Sequence, residues 1–167
     1  MDEERKYVEI KQICFSGKRK FSWNEVYQKL NKYNGMVVKV KETGDDIIIG
    51  SHFAKEYCGS IYTKQIHGMT EKAKGNAALI IPELVKNASN RRWIENKKDK
   101  HNLDAIKGWY RYDVFFTVPT AHAGLKGINY YRGTMIARIN DCGIYLHDII
   151  NIKKEDSKPF ESNDRTV

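Results

Sequence analysis

The chain has 167 residues, 41% of them hydrophobic, and carries 29 Lys and Arg against 21 Asp and Glu, a formal charge of +8. That length and apolar content suit one folded domain with a real core. The positive balance points to an anionic partner, nucleic acid before an acidic protein. Cys14, Cys58 and Cys142 are too few and too scattered for a disulfide framework or a zinc site. The first residues, Met1-Asp-Glu-Glu-Arg-Lys6, are not followed by an apolar leader, and no run approaches transmembrane length. A cytoplasmic protein without membrane contact is the expectation.

Taken in order, Tyr7 to Phe15 alternates loosely, as a strand does, and Gly17-Lys-Arg-Lys20 is a short basic loop. Ser22-Trp-Asn-Glu25 has the form of a capping box, so a helix should run through Val26, Leu30 and Tyr33 and stop at Asn34-Gly35. Met36 to Lys41 and Asp46 to Ile49 read as two strands about the turn Glu42-Thr-Gly-Asp45. Thr70 is placed to cap a helix over Lys72 to Ile81. Pro82 should make it kink or restart, with Leu84 and Val85 facing inward through Asn90. Arg91-Arg-Trp-Ile-Glu-Asn-Lys-Lys-Asp-Lys-His101 is the densest positive segment. A charge run usually marks a solvated helix end or loop. Here Trp93 and His101 also suit base stacking beside lysines that hold phosphates.

The last third carries the clearest pattern. Gly108-Trp-Tyr-Arg-Tyr-Asp-Val-Phe-Phe-Thr117 reads as a strand, Thr117 to Gly127 as a loop, and Tyr130 to Lys154 as a hairpin turning at Asn140-Asp-Cys-Gly143. If Asn140 faces Gly143, then Ala137 faces Leu146 and Met135 faces Asp148 on an apolar side. The other side gathers Arg132, Thr134, Arg138, Tyr145 and His147, a basic, hydroxyl-bearing face suited to phosphate. On the first strand, Trp109, Arg111 and Asp113 share one face, and Tyr110, Tyr112, Val114 and Phe116 the other. The organisation expected is α+β: helices packed on a curved antiparallel sheet within one domain over 1–154. It comprises a small N-terminal α/β module (1–50), a mainly helical middle (51–107) and the antiparallel sheet (108–154), then a disordered tail (155–167).

Phosphate loops, a serine nucleophile elbow, HExxH and paired cysteines are all absent. No cofactor and no metal are therefore called for. What the residues suit is metal-independent RNA cleavage, which needs an acid and a base about the ribose and cations on the phosphate. His101 and His147 are the acid/base candidates, with Arg132 on the phosphate. Arg91, Arg92, Trp93, Lys100, Arg111, Arg138 and Tyr145 are the candidate nucleic-acid contacts. Lys64, His67, His52 and His122 are weaker. His147 and Asp148 are neighbours, but alternation sends them to opposite faces, so they form no dyad.

Three stretches carry a resemblance: Ser51-His-Phe-Ala-Lys-Glu-Tyr57, Gly108-Trp-Tyr-Arg-Tyr-Asp113, and Tyr145-Leu-His-Asp-Ile-Ile-Asn-Ile-Lys-Lys154. Together they resemble domains of phage-encoded polyvalent and head-associated proteins placed in the barnase–EndoU–colicin–RelE-like nuclease superfamily, across residues 36–154. The resemblance implies helices followed by a curved antiparallel sheet with RNA on the sheet face. It also implies metal-independent endoribonuclease activity in a phage or mobile-element setting, in the host cytoplasm. The added N-terminal module departs from that compact core, and site residues vary among members, so no fixed motif carries over.

Two function classes follow. The first is an endoribonuclease with RNA as partner and a protein inhibitor or host target alongside. The second is a non-catalytic basic protein on the same scaffold, binding nucleic acid or blocking a host defence component. A nucleotide-dependent transferase is a third class, but the sequence offers no nucleotide pocket for it.

Overall fold

Three long strands dominate: β5 (Gly108–His122), β6 (Leu125–Asn140) and β7 (Gly143–Glu155). They are antiparallel neighbours in a strongly curled sheet. The computed structural model describes residues 5–15, 21–95, 107–122 and 125–155. Alternation sets the faces. Tyr112, Val114 and Phe116 of β5 lie opposite Met135, Gly133 and Tyr131 of β6, and all six are buried. The intervening residues Arg111, Asp113, Thr134 and Ile136 are half-buried, and Arg132 is exposed.

The described residues of the expected loop over Thr117–Gly127, up to His122 and from Leu125, are instead strand. β5 continues to His122 and pairs with β6 through Thr120↔Gly127 and Pro119↔Ile128. Pro119 lies beyond the last residues that pair with a strand on the outer side of β5, an edge position where a missing N–H is tolerated.

The sheet is mixed rather than wholly antiparallel. β3 (Asp46–Ile48) runs parallel to β7, with Ile47 beside Ile144, and β2 (Val37–Lys39) is antiparallel to β3. On the far edge, β1 (Val8–Glu9) runs parallel to β5 at Phe116 and Thr117. β4 (Ser89–Glu95) runs antiparallel to the start of β5. The front fifty residues thus add strands to both sides of the main sheet rather than building a unit of their own. β4 occupies a stretch expected to be helix and then loop. Its pattern Ser-Asn-Arg-Arg-Trp-Ile-Glu has no clean alternation, because this short edge strand buries little of either face.

The helices cover the buried face. α1 (Trp23–Leu30) starts where Ser22 Oγ accepts from the Glu25 amide, and a 3₁₀ turn over Asn31–Tyr33 carries it to Asn34, close to the expected stop. α2 (Phe53–Gly59) and α3 (Ile61–Gln65) follow. α4 (Gly68–Ala77) begins at His67, so Thr70 lies inside it rather than capping it. After a 3₁₀ turn the chain restarts as α5 (Ile81–Lys86), with Pro82 in its first turn, where the missing donor costs nothing. Leu84 and Val85 face inward as expected. Val26, Leu30, Phe53, Tyr57, Ala77 and Ile81 complete one core with Tyr112, Met135, Leu146 and Ile149. Fully burying an aliphatic or aromatic side chain is worth about 1.5–3 kcal/mol, so this interface carries the fold. Among the described residues no helix is long and apolar enough to cross a membrane.

The hairpin register holds near its turn, where Cys142 N–H donates to Asn140 Oδ1 at 2.8 Å. Ile139↔Ile144, Arg138↔Tyr145 and Ala137↔Leu146 pair as alternation requires. Then β7 carries an extra residue, His147, and Ile136 pairs with Asp148 instead of with His147. A second bulge follows at Asn151, whose φ is +54°, and Arg132 pairs with Lys153 rather than Asn151. Bulges bend a strand and increase its twist, so these two help to curl the sheet.

Candidate nucleic-acid interface

The face of β5 and β6 turned away from the helices is where the charged residues collect, and it divides into two regions. Near the hairpin turn, Trp109 lies beside Arg138 in the register and Arg138 beside Tyr145. The Arg138 guanidinium sits 5.0 Å over the Tyr145 ring. The Trp109 and His147 rings meet edge to face, 4.9 Å apart. His147 Nε2 is 3.4 Å from Glu56 Oε2 of α2. β3 pairs with β7 only at Ile144 and Tyr145, so α2, which packs on β7, can reach His147 where the strand bulges. Arg138, Tyr145 and His147 are therefore brought together, with Trp109 added. Asp148 turns into the core instead, to Lys74.

The second region lies along β5 toward its middle. β4 pairs up to Asp113 and β1 begins at Phe116, so Val114 and Phe115 lie in the gap between two short edge strands. A cleft of about 580 Å³ opens here, lined by Arg5, Lys6, Lys41, Lys86, Asp113 and Arg132, among others. A second cavity of about 340 Å³ adjoins it, lined by Arg92, Asp113, Phe115, Arg132, Asn151 and Lys153, among others. Asp113, Phe115 and Arg132 border both, so the two form one track. Lys41 follows β2, Lys86 ends α5, Arg132 is on β6 and Lys153 on β7.

Which of these charges are spent decides what the track can hold. Arg5 pairs with Glu155 at 2.9 Å, and Tyr7 also donates to that carboxylate. Arg92 lies 3.1 Å from Asp113. Lys6, Lys41, Lys86, Arg132 and Lys153 are exposed and form no ion pair among the described residues. Among the described residues, the carboxylates bordering the track are Glu42 and Asp113. Glu42 accepts from the Asn90 amide at 2.8 Å.

Arg91 has a different role from the one expected of it. It donates to both oxygens of Asp45 at 2.8 Å, and its guanidinium lies 4.5 Å over the Tyr110 ring. Tyr112 and Thr43 hydroxyls donate to the same carboxylate at 2.9 and 2.6 Å. Burial alone would raise the Asp45 carboxyl, but the hydrogen bonds from Thr43, Arg91 and Tyr112 outweigh it and hold the group below its ordinary range. Arg91 thus ties β4 to the β2–β3 turn. Trp93, 48% exposed, stands edge to face with Tyr110 at 5.5 Å, away from the track. Arg111 is half-buried in the row between Trp109 and Asp113.

Arg132 and His147 stand apart. Arg132 pairs with Lys153, whereas His147 lies beside Ile136 and Ala137, four to five residues along β6, or about 15 Å at the usual strand rise. Neither cavity bordered by Arg132 includes His147. His101 and Lys100 lie outside the described residues. His52 and His67 are exposed at the starts of α2 and α4, and Lys64 is exposed on α3. Among the described residues no group of His, Cys, Asp and Glu is arranged to hold a metal. Burial pushes the Cys58 thiol up to about 12, which removes its nucleophilic thiolate at neutral pH.

Sequence reading missed the contributions of Lys6, Lys41, Lys86 and Lys153. They are far apart in the sequence, and only the fold collects them. No family model, no curated protein and no solved structure matches this chain.

Proposed function

We propose that the protein binds single-stranded RNA along the track centred on Arg132. The observation that carries this reading is the group of five cations without carboxylate partners, supplied by five separate parts of the chain and converging on one continuous cleft. Cations without internal partners are free to neutralise phosphates and release counterions. RNA rather than DNA, and a phage or mobile-element setting, rest on the resemblance described above. The test is binding of a labelled single-stranded RNA against salt. The affinity should fall steeply, with a slope of about −0.7 for each phosphate engaged. A flat salt response would sink the reading.

Endoribonuclease activity is the second reading, favoured by the cluster near the hairpin turn. There a half-exposed His147 has Glu56 on one side and Trp109 and Arg138 close by. A histidine oriented by a carboxylate beside a guanidinium has the parts needed for proton transfer at a phosphodiester. Total RNA incubated in EDTA should then be cut at discrete positions by the wild type and left whole by His147→Ala. Intact RNA after long incubation with excess wild type leaves the binding reading alone.

A further inference from the structure

Asp113 is out of place in a cleft built for phosphate. It borders both cavities, beside Arg132, and its negative charge opposes any phosphate there. Its position is nevertheless tightly determined. Asn90 Nδ2 donates to Oδ2 at 3.0 Å and Arg92 lies 3.1 Å from Oδ1. Asn90 is itself held in the left-handed region, φ +54°, by the β4 irregularity between Ser89 and Arg92. Each carboxylate oxygen can accept about two hydrogen bonds. These contacts use one on each, and the side chain stays 33% exposed.

We infer that Asp113 reads the base edge of the bound strand. This rests on the RNA-binding reading above and specifies its substrate. A fixed carboxylate accepts from an amine, as acidic side chains do from the cytosine N4 amine. Adenine and guanine also carry exocyclic amines. Uracil has none, and its single ring N–H is flanked by two carbonyl oxygens that a carboxylate repels. The base must be unpaired to show this edge, so the ligand is single-stranded. Arg132 holds a phosphate next to the base that Asp113 reads, because the two residues border the same cavities. The substrate class is single-stranded RNA with adenine, cytosine or guanine, and not uracil, at this position.

The test uses the full chain and fluorescence anisotropy with labelled oligo(A), oligo(C) and oligo(U) at one low salt concentration. The wild type should bind oligo(C) and oligo(A) about tenfold more tightly than oligo(U), the lower part of the range for one good base contact. In Asp113→Asn that ratio should collapse toward one, with oligo(U) binding gained as a negative charge leaves the track. On the wild-type protein, an oligomer of cytidines whose exocyclic amine is replaced by hydrogen should fall to the oligo(U) level. That arm decides alone if Asp113→Asn proves unfolded by its thermal melt. Undiminished preference in a folded Asp113→Asn, or amine-free oligomer binding as tight as oligo(C), overturns the assignment and leaves RNA binding standing. Absence of binding to every oligomer at this low salt concentration overturns both.

Discussion

Lys74 Nζ lies 2.7 Å from Asp148 Oδ1 in the interior, with the two side chains 0% and 3% exposed. The ammonium also donates to Thr63 Oγ1 at 2.6 Å and lies over the rings of Tyr57 and Tyr62. Asp148 Oδ1 also accepts from the Ile149 amide at 2.8 Å. That bond satisfies a backbone donor beside the bulge at His147, so the pair joins α4 to the irregular part of β7. Desolvation pulls the Lys74 pKa down and pushes the Asp148 pKa up, and each charge offsets part of that shift on the other.

Removing one partner should therefore cost far more than removing both. Lys74→Met leaves Asp148 buried without its counter-charge and should cost about 3–5 kcal/mol by urea denaturation. Adding Asp148→Leu should recover most of that loss. A double variant as unstable as the single one would show that the pair is not the determining contact.

The Asp45 site makes stability depend on acid. Its folded pKa lies below the unfolded one, so the unfolded chain takes the proton first as pH falls. The stabilisation is present above the ordinary carboxyl pKa of about 4 and is lost as pH drops through the lower folded value. Urea midpoints measured from pH 6 down to pH 2.5 should decline across that window in the wild type. The decline should be shallower in Asp45→Asn, which starts from a lower midpoint.

Three arginines should respond differently according to what each one touches. Arg132→Ala, at an exposed side chain without an internal ion pair, should weaken RNA binding and reduce the salt slope by about 0.7, while leaving the urea midpoint unchanged. Arg91→Ala breaks the double contact with Asp45 and should lower the midpoint while leaving RNA affinity nearly intact. Arg92→Ala should do some of each, since it borders the track and also pairs with Asp113. Equal losses of affinity in Arg91→Ala and Arg132→Ala would count against the track.

Asn151 closes the second bulge at φ +54°, where Asn is tolerated and β-branched residues are not. Asn151→Gly should be neutral within a few tenths of a kcal/mol, and Asn151→Val should cost at least about 1–2 kcal/mol. Arg132 pairs with β7 just past this bulge, so Asn151→Val should also disturb RNA binding.

Local chemistry was enough to read some elements from the chain alone. The Ser22 cap, the restart at Pro82 and the Asn140–Gly143 turn each depend on residues a few positions apart, and each is found where the sequence puts it. Alternation likewise assigned the two faces of β5, because every second side chain there meets the core. The register of the hairpin could be read only as far as Ala137 and Leu146. Beyond them His147 enters as an extra residue, and nothing in Tyr145-Leu-His-Asp148 marks which residue the strand will bulge out. The Lys74–Asp148 pair spans 74 positions, and the five unpaired cations of the track come from chain segments between Lys6 and Lys153. A lone lysine in a sequence carries no sign of its eventual neighbours or of its burial. Those are set by long-range packing, so the sequence by itself determined the start of α1, the restart at Pro82, the hairpin turn and the positive charge. The tertiary structure decided which cations remain free, where they converge, and that an acid stands among them.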